Sequence, residues 1–436
     1  MSVVLGVDIG TSSVKVAVSE DGAPSLPAAQ SAIPWTTTTT GAEIDPKHLV
    51  DVVLGAMRRA CDARPGMRVD AVGIASFAES VVLLDHDGVP LTPLVAWYDT
   101  RGDAEAAQLA STFGPDSFSS LTGLPVSPLC SAVKVRTAAV AGVDLSTVAS
   151  VLSVTDWIAF RLGGTRAFDL SLAARTGWLD LSGRAWAPPL VDWTGLPASS
   201  MPEIMEPGAA RGQVSTDVPG APARLAGALV VSAGMDHLVA AVGALAAGSG
   251  DVWDSCGTAE AFVRSTPPLD VSKVLSTVQH GQTVGWHAEP RHQVVLGAQR
   301  SGFAFQRVLG LLGVTTAEGL RRFEDGPPPP PDPSAKLEFR DLYDAAYAVV
   351  GLTSRTGPQD VWAALLRQVA ADGAALLARS DAVAGPHKRV VMGGGWAASR
   401  WFRDAKRKHH ERLTATDLAQ PGAEGAAALA RRALEK

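Results

Sequence analysis

The sequence is poor in cysteine and in positive charge. Its three cysteines, Cys61, Cys130 and Cys256, lie far apart in a chain of 436 residues. This spacing fits neither a disulfide framework nor a zinc-ligand set, and it suits a reducing compartment. The formal net charge of −6 argues against general nucleic-acid binding. The one basic run, residues 406–410 with Arg412, is therefore predicted to be a solvated helix face.

The chain also lacks any apolar run near the ~20 residues that a membrane span needs. No basic segment with an apolar core precedes the first apolar run, so we expect a cytoplasmic protein. The length predicts two to three domains, and 46% hydrophobic with 19% charged residues is typical of a globular protein.

A polar stretch between two apolar runs is the most informative local pattern. The apolar, β-branched run at residues 3–9 and the alternation within 14–18 predict a β-hairpin with this stretch at its tip. A glycine there permits a tight turn, hydroxyls and an ammonium group suit phosphate, and a carboxylate suits magnesium. The residues are Asp8, Gly10, Thr11, Ser12, Ser13 and Lys15. A phosphate loop and an ordinary hairpin with a polar turn both fit this stretch alone.

Helix and strand patterns alternate along the first half. Helical spacing covers residues 46–63, and strands are predicted at 69–76 and 81–85. This alternation is typical of α/β proteins. Residues 163–227 are rich in Gly, Pro, Ser and Trp and are interpreted as surface connections that bridge two domains. The predicted domains are therefore residues 1–227 and 228–436, and the second begins with a strand at 229–232.

The second half partly echoes the first. Asp254, Gly257 and Thr258 repeat the order carboxylate, glycine, hydroxyl within a β-rich run. A long helix is predicted over 358–384. It is followed by a strand at 389–392, three glycines, and a helix at 397–411. A strand, glycines and a helix N-terminus form a place where backbone can lie against a nucleotide. Pro327–Pro331 with Pro333 predict a stiff linker.

The order of these motifs resembles the FGGY family of carbohydrate kinases, which includes glycerol kinase, xylulokinase and gluconokinase. The motifs that carry the resemblance are residues 8–15, Ala96 to Gly102, Gly234 to His237, Cys256 to Thr258, and Gly393 to Gly395 with Ser399. The resemblance implies an α/β fold of two actin-like, ribonuclease-H-like domains that face each other across a cleft. ATP would lie mainly on the second domain and the carbohydrate mainly on the first.

The resemblance also assigns roles to single residues. It makes Asp236 the general base for the attacking hydroxyl, a role compatible with the alternative of a helix N-cap. Asp8 would hold Mg²⁺ through water, with a hairpin-turn aspartate as the alternative. The residues implied for ATP are Thr11, Ser12, Ser13, Lys15, Gly257, Thr258, Gly302, Gln306, Gly394, Gly395 and Ser399. Ordinary turn chemistry is the alternative for the glycines.

The acceptor site is where the sequence departs from its relatives. Carboxylates and an aromatic wall suit a sugar, which favours Trp97 and Asp99, and the resemblance implies Glu79, Asp236 and His237 as further residues of the acceptor site. Glycerol kinases have an Arg-Glu pair and a tyrosine where this chain has Ala78-Glu79 and Leu129. The Met-His pair typical of xylulokinases is also absent. We therefore expect glycerol to be a poor acceptor and a five- or six-carbon sugar, polyol or sugar acid to be preferred.

Two other classes of function remain open. A sugar- or nucleotide-binding sensor would keep the fold without turnover, but it would not need both Asp8 and Asp236. An ATPase of the chaperone or actin type would have no reason to cluster Glu79, Trp97 and Asp99. The expected partners are ATP, magnesium and a small carbohydrate, with a homodimer as a possible assembly and no nucleic acid or membrane.

Overall fold

A computed structural model describes residues 2–21, 26–64, 66–331, 336–344 and 346–436. Its strands, in chain order, are β1 (Val3–Ile9), β2 (Ser13–Glu20), β3 (Leu26–Ala32), β4 (Thr36–Thr37), β5 (Ala42–Ile44), β6 (Ala71–Ser76), β7 (Val81–Leu84), β8 (Leu94–Val95), β9 (Ser150–Ser153), β10 (Ala167–Asp169), β11 (Leu179–Asp180), β12 (Ala185–Trp186), β13 (Glu203–Met205), β14 (Ala209–Gln213), β15 (Leu229–Met235), β16 (Asp251–Cys256), β17 (Glu260–Thr266), β18 (Thr283–Trp286), β19 (Gln293–Gln299), β20 (Glu338–Arg340), β21 (Ala348–Val350), β22 (Arg389–Gly393) and β23 (Leu413–Ala415).

The helices alternate with these strands. They are α1 (Pro46–Asp62), α2 (Asp103–Phe113), α3 (Pro115–Thr122), α4 (Ser131–Val140), α5 (Val154–Arg161), α6 (Leu170–Ala173), α7 (Pro188–Thr194), α8 (Asp236–Gly243), α9 (Val271–Gln279), α10 (Ser301–Leu311), α11 (Ala317–Phe323), α12 (Pro358–Ala384), α13 (Arg400–Arg407) and α14 (Pro421–Leu434).

Two six-stranded sheets define two units. The sheet of the first unit has the order β14-β15-β6-β1-β2-β3, and that of the second has the order β18-β19-β17-β16-β22-β23. In each sheet an antiparallel hairpin, β1–β2 or β16–β17, lies beside a parallel strand, β6 or β22. This arrangement repeats the same local topology in both units.

Local sequence signals account for several helix boundaries. Helix α1 begins with Pro46 in its first turn, where no backbone N–H is needed, and the Asp45 carboxylate caps it by accepting from the N–H of Lys47. Its apolar stripe packs on the first sheet. The predicted helix over 46–63 and the predicted helix over 358–384 are confirmed as α1 and α12.

Helix α12 is a core helix of the second unit. Among the described residues it alone is long and apolar enough to cross a membrane, but 56% of its most apolar window is buried inside the protein. It packs with α10 and α13 in one hydrophobic cluster. The proline run ahead of it, Pro327–Pro331, forms no helix or strand, and Pro333 lies outside the described residues.

Three expectations need correction. The segment 163–227 is more than surface connection, because it contains β14, which pairs with β15 in the first sheet, and the fully buried Trp178. The division expected at 227/228 falls inside the first unit, because β15 pairs in parallel with β6. The helix expected at 397–411 is interrupted, with a short 3₁₀ turn at Gly395–Ala398 before α13.

Helix α14, which follows the second unit in sequence, packs against the first. It contacts β1, β6 and α8. The approach is so close that a Cβ at Gly6 would lie 1.8 Å from the carbonyl oxygen of Ala423. Only glycine permits this contact, since real Cβ atoms do not come so close to a backbone oxygen. Helices α8 and α14 therefore lie together where the two units join.

Candidate active site

A cleft of about 580 Å³ receives residues from both units. Asp8 and Lys15 enter it from the β1–β2 hairpin, and Asp236 enters from the start of α8. Asp8 and Lys15 face each other as a cross-strand pair near the tip of the hairpin. His237 also lines the cleft, and its backbone N–H donates to Asp236 Oδ1 at 2.7 Å. The cleft therefore brings the carboxylates of Asp8 and Asp236 and the ammonium group of Lys15 to a common space.

Asp8 is the most perturbed group in this cleft. Burial, followed by the nearby charge of Asp236, raises its pKa to about 6, while Lys15 and His237 oppose that shift. Its Oδ1 atom is buried and has no hydrogen-bond partner among the described residues. Two neighbouring carboxylates with a free buried oxygen are a donor set that fits a divalent cation. Asp8 is thus suited to hold magnesium, with Asp236 close by.

The position of Asp236 is set by a bulged strand and a buried hydroxyl. The pairing of β15 with β6 shifts register between Ser232 and Gly234, just before the carboxylate. The N–H of Met235 donates to Ser171 Oγ at 3.0 Å, and Ser171 Oγ donates in turn to Asp169 Oδ1. Asp236 itself is the first residue of α8, after the N-cap Met235, where the helix dipole favours a carboxylate.

A buried arginine is linked to the hydrogen bonds that position Asp236. Arg211 Nη2 donates to Asp156 Oδ1 at 3.1 Å, and both side chains are almost completely buried. The second oxygen of Asp156 accepts from the N–H of Asp169. We call the set Arg211, Asp156, Asp169 and Ser171 the arginine network. It connects a buried ion pair to the backbone that carries Asp236.

The hydroxyls of the first hairpin have different surroundings. Thr11 is held by two tryptophans: Trp35 Nε1 donates to its carbonyl, and Trp97 Nε1 donates to its Oγ1 at 2.8 Å. Ser12 is exposed at the turn, and Ser13 Oγ accepts from Gln30. None of the three hydroxyl residues lines the cleft as described, although they flank Gly10, which does.

The second unit supplies glycines to the opposite side. Gly257, Gly394 and Gly395 line the cleft. Gly394 has a φ of 94°, and a Cβ there would lie 2.6 Å from the carbonyl oxygen of Cys256, so both its conformation and its space require glycine. Gly302 does not line the cleft but supports this loop, because a Cβ there would lie 2.2 Å from the carbonyl oxygen of Gly257.

An adjoining pocket of about 980 Å³ opens beside the same loop. Thr258, Gln306 and Ser399 line it, together with Gly257 and Gly395, which are shared with the cleft. Ser399 is already engaged as the N-cap of α13: its Oγ accepts from the N–H of Phe402 and donates to Glu324. Its hydroxyl therefore fixes the helix start at the pocket wall.

The residues expected to bind the acceptor are only partly brought together. Trp97 lies beside the β1–β2 turn, because its Nε1 donates to Thr11 Oγ1. Asp99 is fully buried, and Arg101 binds both of its oxygens. Burial alone would raise the pKa of Asp99, but hydrogen bonds from Arg101 lower it to about 2. Asp99 is therefore a structural ion-pair partner, and its assignment to the acceptor site is corrected.

Glu79 has a charged partner that sequence reasoning missed. Arg175 Nε donates to Glu79 Oε1 at 2.7 Å, and Arg175 Nη1 donates to Thr283 on β18 of the second unit. Ala78 stands where glycerol kinases have the neighbouring arginine, but Arg175 supplies a guanidinium beside Glu79 from 96 residues along the chain. Glu79 also has a φ of 59°, a strained conformation that is common at functional sites.

A buried lysine links the two candidate acceptor residues. Lys134 Nζ donates to the carbonyl oxygens of Glu79 and Trp97 at 3.1 and 2.7 Å. Burial lowers the pKa of Lys134 to about 8. No motif in the sequence pointed to Lys134 or Arg175, because both act through partners that are distant in the chain.

The sequence comparisons decide the family. The profile of the N-terminal domain of the FGGY family of carbohydrate kinases matches residues 3–243, more than half of the chain. The chain belongs to the FGGY family of carbohydrate kinases. This FGGY kinase is accordingly a phosphotransferase that uses an alcohol group as acceptor, and its two units are the actin-like domains of the family.

Individual relatives support the same assignment. The chain is 27% identical to a probable glycerol kinase of Caenorhabditis elegans over 83% of this chain and 76% of the relative. It is 29% identical to a xylulose kinase of Klebsiella pneumoniae over 92% of this chain and 83% of the relative. The structure of this FGGY kinase resembles that of ligand-bound xylulose kinase from Lactobacillus acidophilus, with a TM-score of 0.86 and 20% identity over 100% of this chain and 90% of that chain.

Proposed function

We propose that this FGGY kinase transfers the γ-phosphate of ATP to a hydroxyl of a sugar, sugar acid or polyol, with Asp236 as the general base. The observation that supports the proposal is the convergence of Asp8, Lys15 and Asp236 with Gly257 and Gly394 on one cleft between the units. Phosphoryl transfer needs an oriented hydroxyl, in-line geometry and neutralisation of charge, and little covalent chemistry from the protein.

Each cleft residue has a distinct part in this scheme. Asp236 accepts the proton of the attacking hydroxyl, a role for which it needs a clear path into the cleft. Lys15 offers a positive charge to the phosphates. Magnesium, when bound, would neutralise charge on the phosphoryl oxygens, and Asp8 would hold it mainly through water. The free buried oxygen of Asp8 supports that role.

The nucleotide would lie across the cleft and the adjoining pocket. The phosphates would face Gly257, Gly394 and Gly395, which line the cleft, while the adenosine would occupy the pocket lined by Thr258 and Gln306. Glycines at a phosphate site let backbone N–H groups approach the oxygens. Thr11, Ser12 and Ser13 would form the opposing turn, with Gly302 and Ser399 supporting the pocket wall from behind.

The acceptor would lie beside the β1–β2 turn. Glu79 and Trp97 fit the edge of such a site, because their backbone carbonyls are held by one ammonium group and Trp97 also bonds to Thr11. Arg175 adds a donor beside Glu79. Leu129, where glycerol kinases have tyrosine, leaves one hydroxyl donor fewer, so we expect a longer acceptor than glycerol. His237 remains a candidate contact from α8.

Cytoplasmic localisation and a homodimer remain predictions.

An ADP-release screen over polyols, ketoses, aldoses and sugar acids tests the proposal. We expect turnover with at least one five- or six-carbon acceptor and a lower kcat/KM for glycerol. D236N should lower turnover by ~100-fold or more, the scale of a lost general base, while ATP binding persists. D217N, at an exposed aspartate, is the matched control.

Three outcomes would contradict parts of the proposal. ATP binding without ADP release for any acceptor would favour the non-catalytic sensor. Parental turnover in D236N would exclude Asp236 as the base. A kcat/KM for glycerol above those of all longer acceptors would refute the argument from Leu129.

A further inference from the structure

A buried lysine contacts the two strands that flank the Gly257-Thr258 turn of the second unit. Lys406 Nζ donates to Asp254 Oδ2 and to Glu260 Oε1. The three side chains are between 0% and 1% exposed. Lys406 belongs to the basic run that was expected to be a solvated helix face, and that expectation is wrong for this residue. We call Lys406, Asp254 and Glu260 the lysine clamp.

The clamp occupies a place that would otherwise suit a metal ion. Oxygen and sulfur atoms of Asp254, Cys256 and Glu260 lie within 4.8 Å of one another. The ammonium group of Lys406 bonds to both carboxylates, and the rings of Phe262 and Phe402 lie 4.7 and 4.9 Å from it. Lysine thus provides the cation at this position. Although burial alone would lower its pKa, the two carboxylates raise the pKa of Lys406 above its usual value.

Net stability is a poor explanation for such a cluster. Burying charges carries a large desolvation cost, and well-packed apolar residues of similar volume often give equal or greater stability. A buried ion pair can instead fix one arrangement of its surroundings.

The lysine clamp contacts both strands of the β16–β17 hairpin near its turn. Asp254 lies on β16 and Glu260 on β17, and the Cys256–Glu260 cross-strand pair closes the turn that contains Gly257 and Thr258. Lys406 lies on α13, whose N-cap Ser399 lines the pocket beside that turn. One side chain therefore ties the hairpin to the helix that begins at the other wall of the pocket.

A second contact extends the clamp toward the helix behind it. Gln299 Nε2 donates to Glu260 Oε2 at 2.7 Å and to the carbonyl of Val369 on α12. This leaves Glu260 hydrogen-bonded through both oxygens. The turn end of the hairpin is thereby fixed against two helices of the second unit, α12 and α13.

We propose that Lys406 is a positioning residue for the nucleotide: through Asp254 and Glu260 it holds the Gly257-Thr258 turn at a fixed distance from the start of α13. This inference rests on the proposed function, in which ATP lies between those two elements. Loss of the ammonium group frees the turn relative to α13 and weakens ATP binding, without touching the first unit.

The test compares the dissociation constant of Mg-ATP in the parent, K406M and R211M, by calorimetry below the unfolding temperature of every variant. We expect K406M to bind ATP about tenfold or more weakly, since small misplacements of binding groups have effects of that order. R211M is the matched control, because it breaks a buried arginine–carboxylate pair in the first unit. It should bind ATP like the parent.

A neutral triple variant, K406M/D254N/E260Q, distinguishes loss of the clamp from unfolding of the protein as the cause of weak ATP binding. It leaves no unpaired buried charge, so we expect its thermal stability to exceed that of K406M while ATP binding stays weak. Parental affinity in a folded K406M or in the triple variant would overturn the inference alone, as would equal weakening in R211M. A parent protein that binds no ATP would overturn the proposed function and this inference together.

Discussion

The two units hold their halves of the cleft by different means. In the first, Arg211 bonds to Asp156. Further hydrogen bonds through Asp169 and Ser171 connect this ion pair to the backbone N–H of Met235, next to Asp236. In the second, the ammonium group of the lysine clamp bonds directly to both arms of a hairpin. The arginine network thus orients the candidate base, whereas the lysine clamp shapes the loop proposed to face the phosphates.

The two networks share one electrostatic property. Burial, followed by the charge of Asp156, raises the pKa of Asp169 to about 7. Burial likewise raises the pKa of Asp254 to about 7, with Lys406 opposing the shift and Glu260 adding to it. Each network therefore contains an aspartate that retains a proton more readily than in the unfolded chain. The difference lies in what each network touches.

The largest expected effect comes from breaking the arginine network. R211M leaves the Asp156 carboxylate buried without its cation, so we expect the free energy of unfolding to fall by about 3–5 kcal/mol. Urea denaturation measures this. R407M, at an exposed pair with Asp404, is the control and should change stability by less than about 1 kcal/mol. Equal effects of the two substitutions would mean that Asp156 does not need Arg211.

The next expected effect is a change in the pH dependence of stability. Asp169 has a higher pKa in the folded than in the unfolded protein, so its stabilising contribution is present near pH 4 and is lost as pH rises toward 7. D169N removes this titration while keeping an oxygen that can accept from the Ser171 N–H. The parent should therefore lose stability relative to D169N, on the order of a few kcal/mol over that range.

Urea midpoints of the parent and D169N at several pH values between 4 and 8 measure this difference in stability. The titration of groups that both proteins share contributes equally to each and cancels. D254N should show the same window, because Asp254 has a similar pKa. Parallel curves for parent and variant would refute a raised pKa at that aspartate. A slope in one variant only would separate the two networks.

The smallest expected effect comes from the last bond of the arginine network. S171A removes the acceptor of the Met235 N–H, which should destabilise the fold by about 1–3 kcal/mol, as for a buried group left unpaired. It should also lower kcat by shifting Asp236, with Mg-ATP affinity unchanged. S111A, at an exposed helical serine, is the control. Weaker ATP binding in S171A would contradict the division of labour between the networks.

Local patterns in the sequence predicted much of the fold. Strand β1 was predicted from its apolar run, β2 from its alternation, and α1 and α12 from their apolar stripes, because all of these patterns are encoded in neighbouring residues. The sheet that would receive β15 was not predictable from its own residues, because a buried apolar strand fits either sheet. Pairing with β6 places it in the first.

The site was predictable to a different degree. Asp8, Asp236, Gly257 and the glycines before α13 were found through the order of their motifs, and the structure places them on one cleft. Lys406 was misjudged because a run of basic residues is normally solvated, while its two carboxylate partners lie about 150 residues earlier. Asp99 was assigned to the acceptor site because its carboxylate suits a sugar, but in the fold it is buried and bonded to the guanidinium of Arg101, two residues away.

Helix α14 has a consequence for the order in which the protein can be completed during synthesis. It covers one face of the first sheet at Gly6, yet it leaves the ribosome only after every strand of the second unit. Strand β1 therefore waits for a helix that begins more than 400 residues downstream, and contacts of such high sequence separation slow folding. Until α14 arrives, the side of β1 and β6 that it covers stays open on the nascent chain, and exposed apolar surface of this kind favours aggregation.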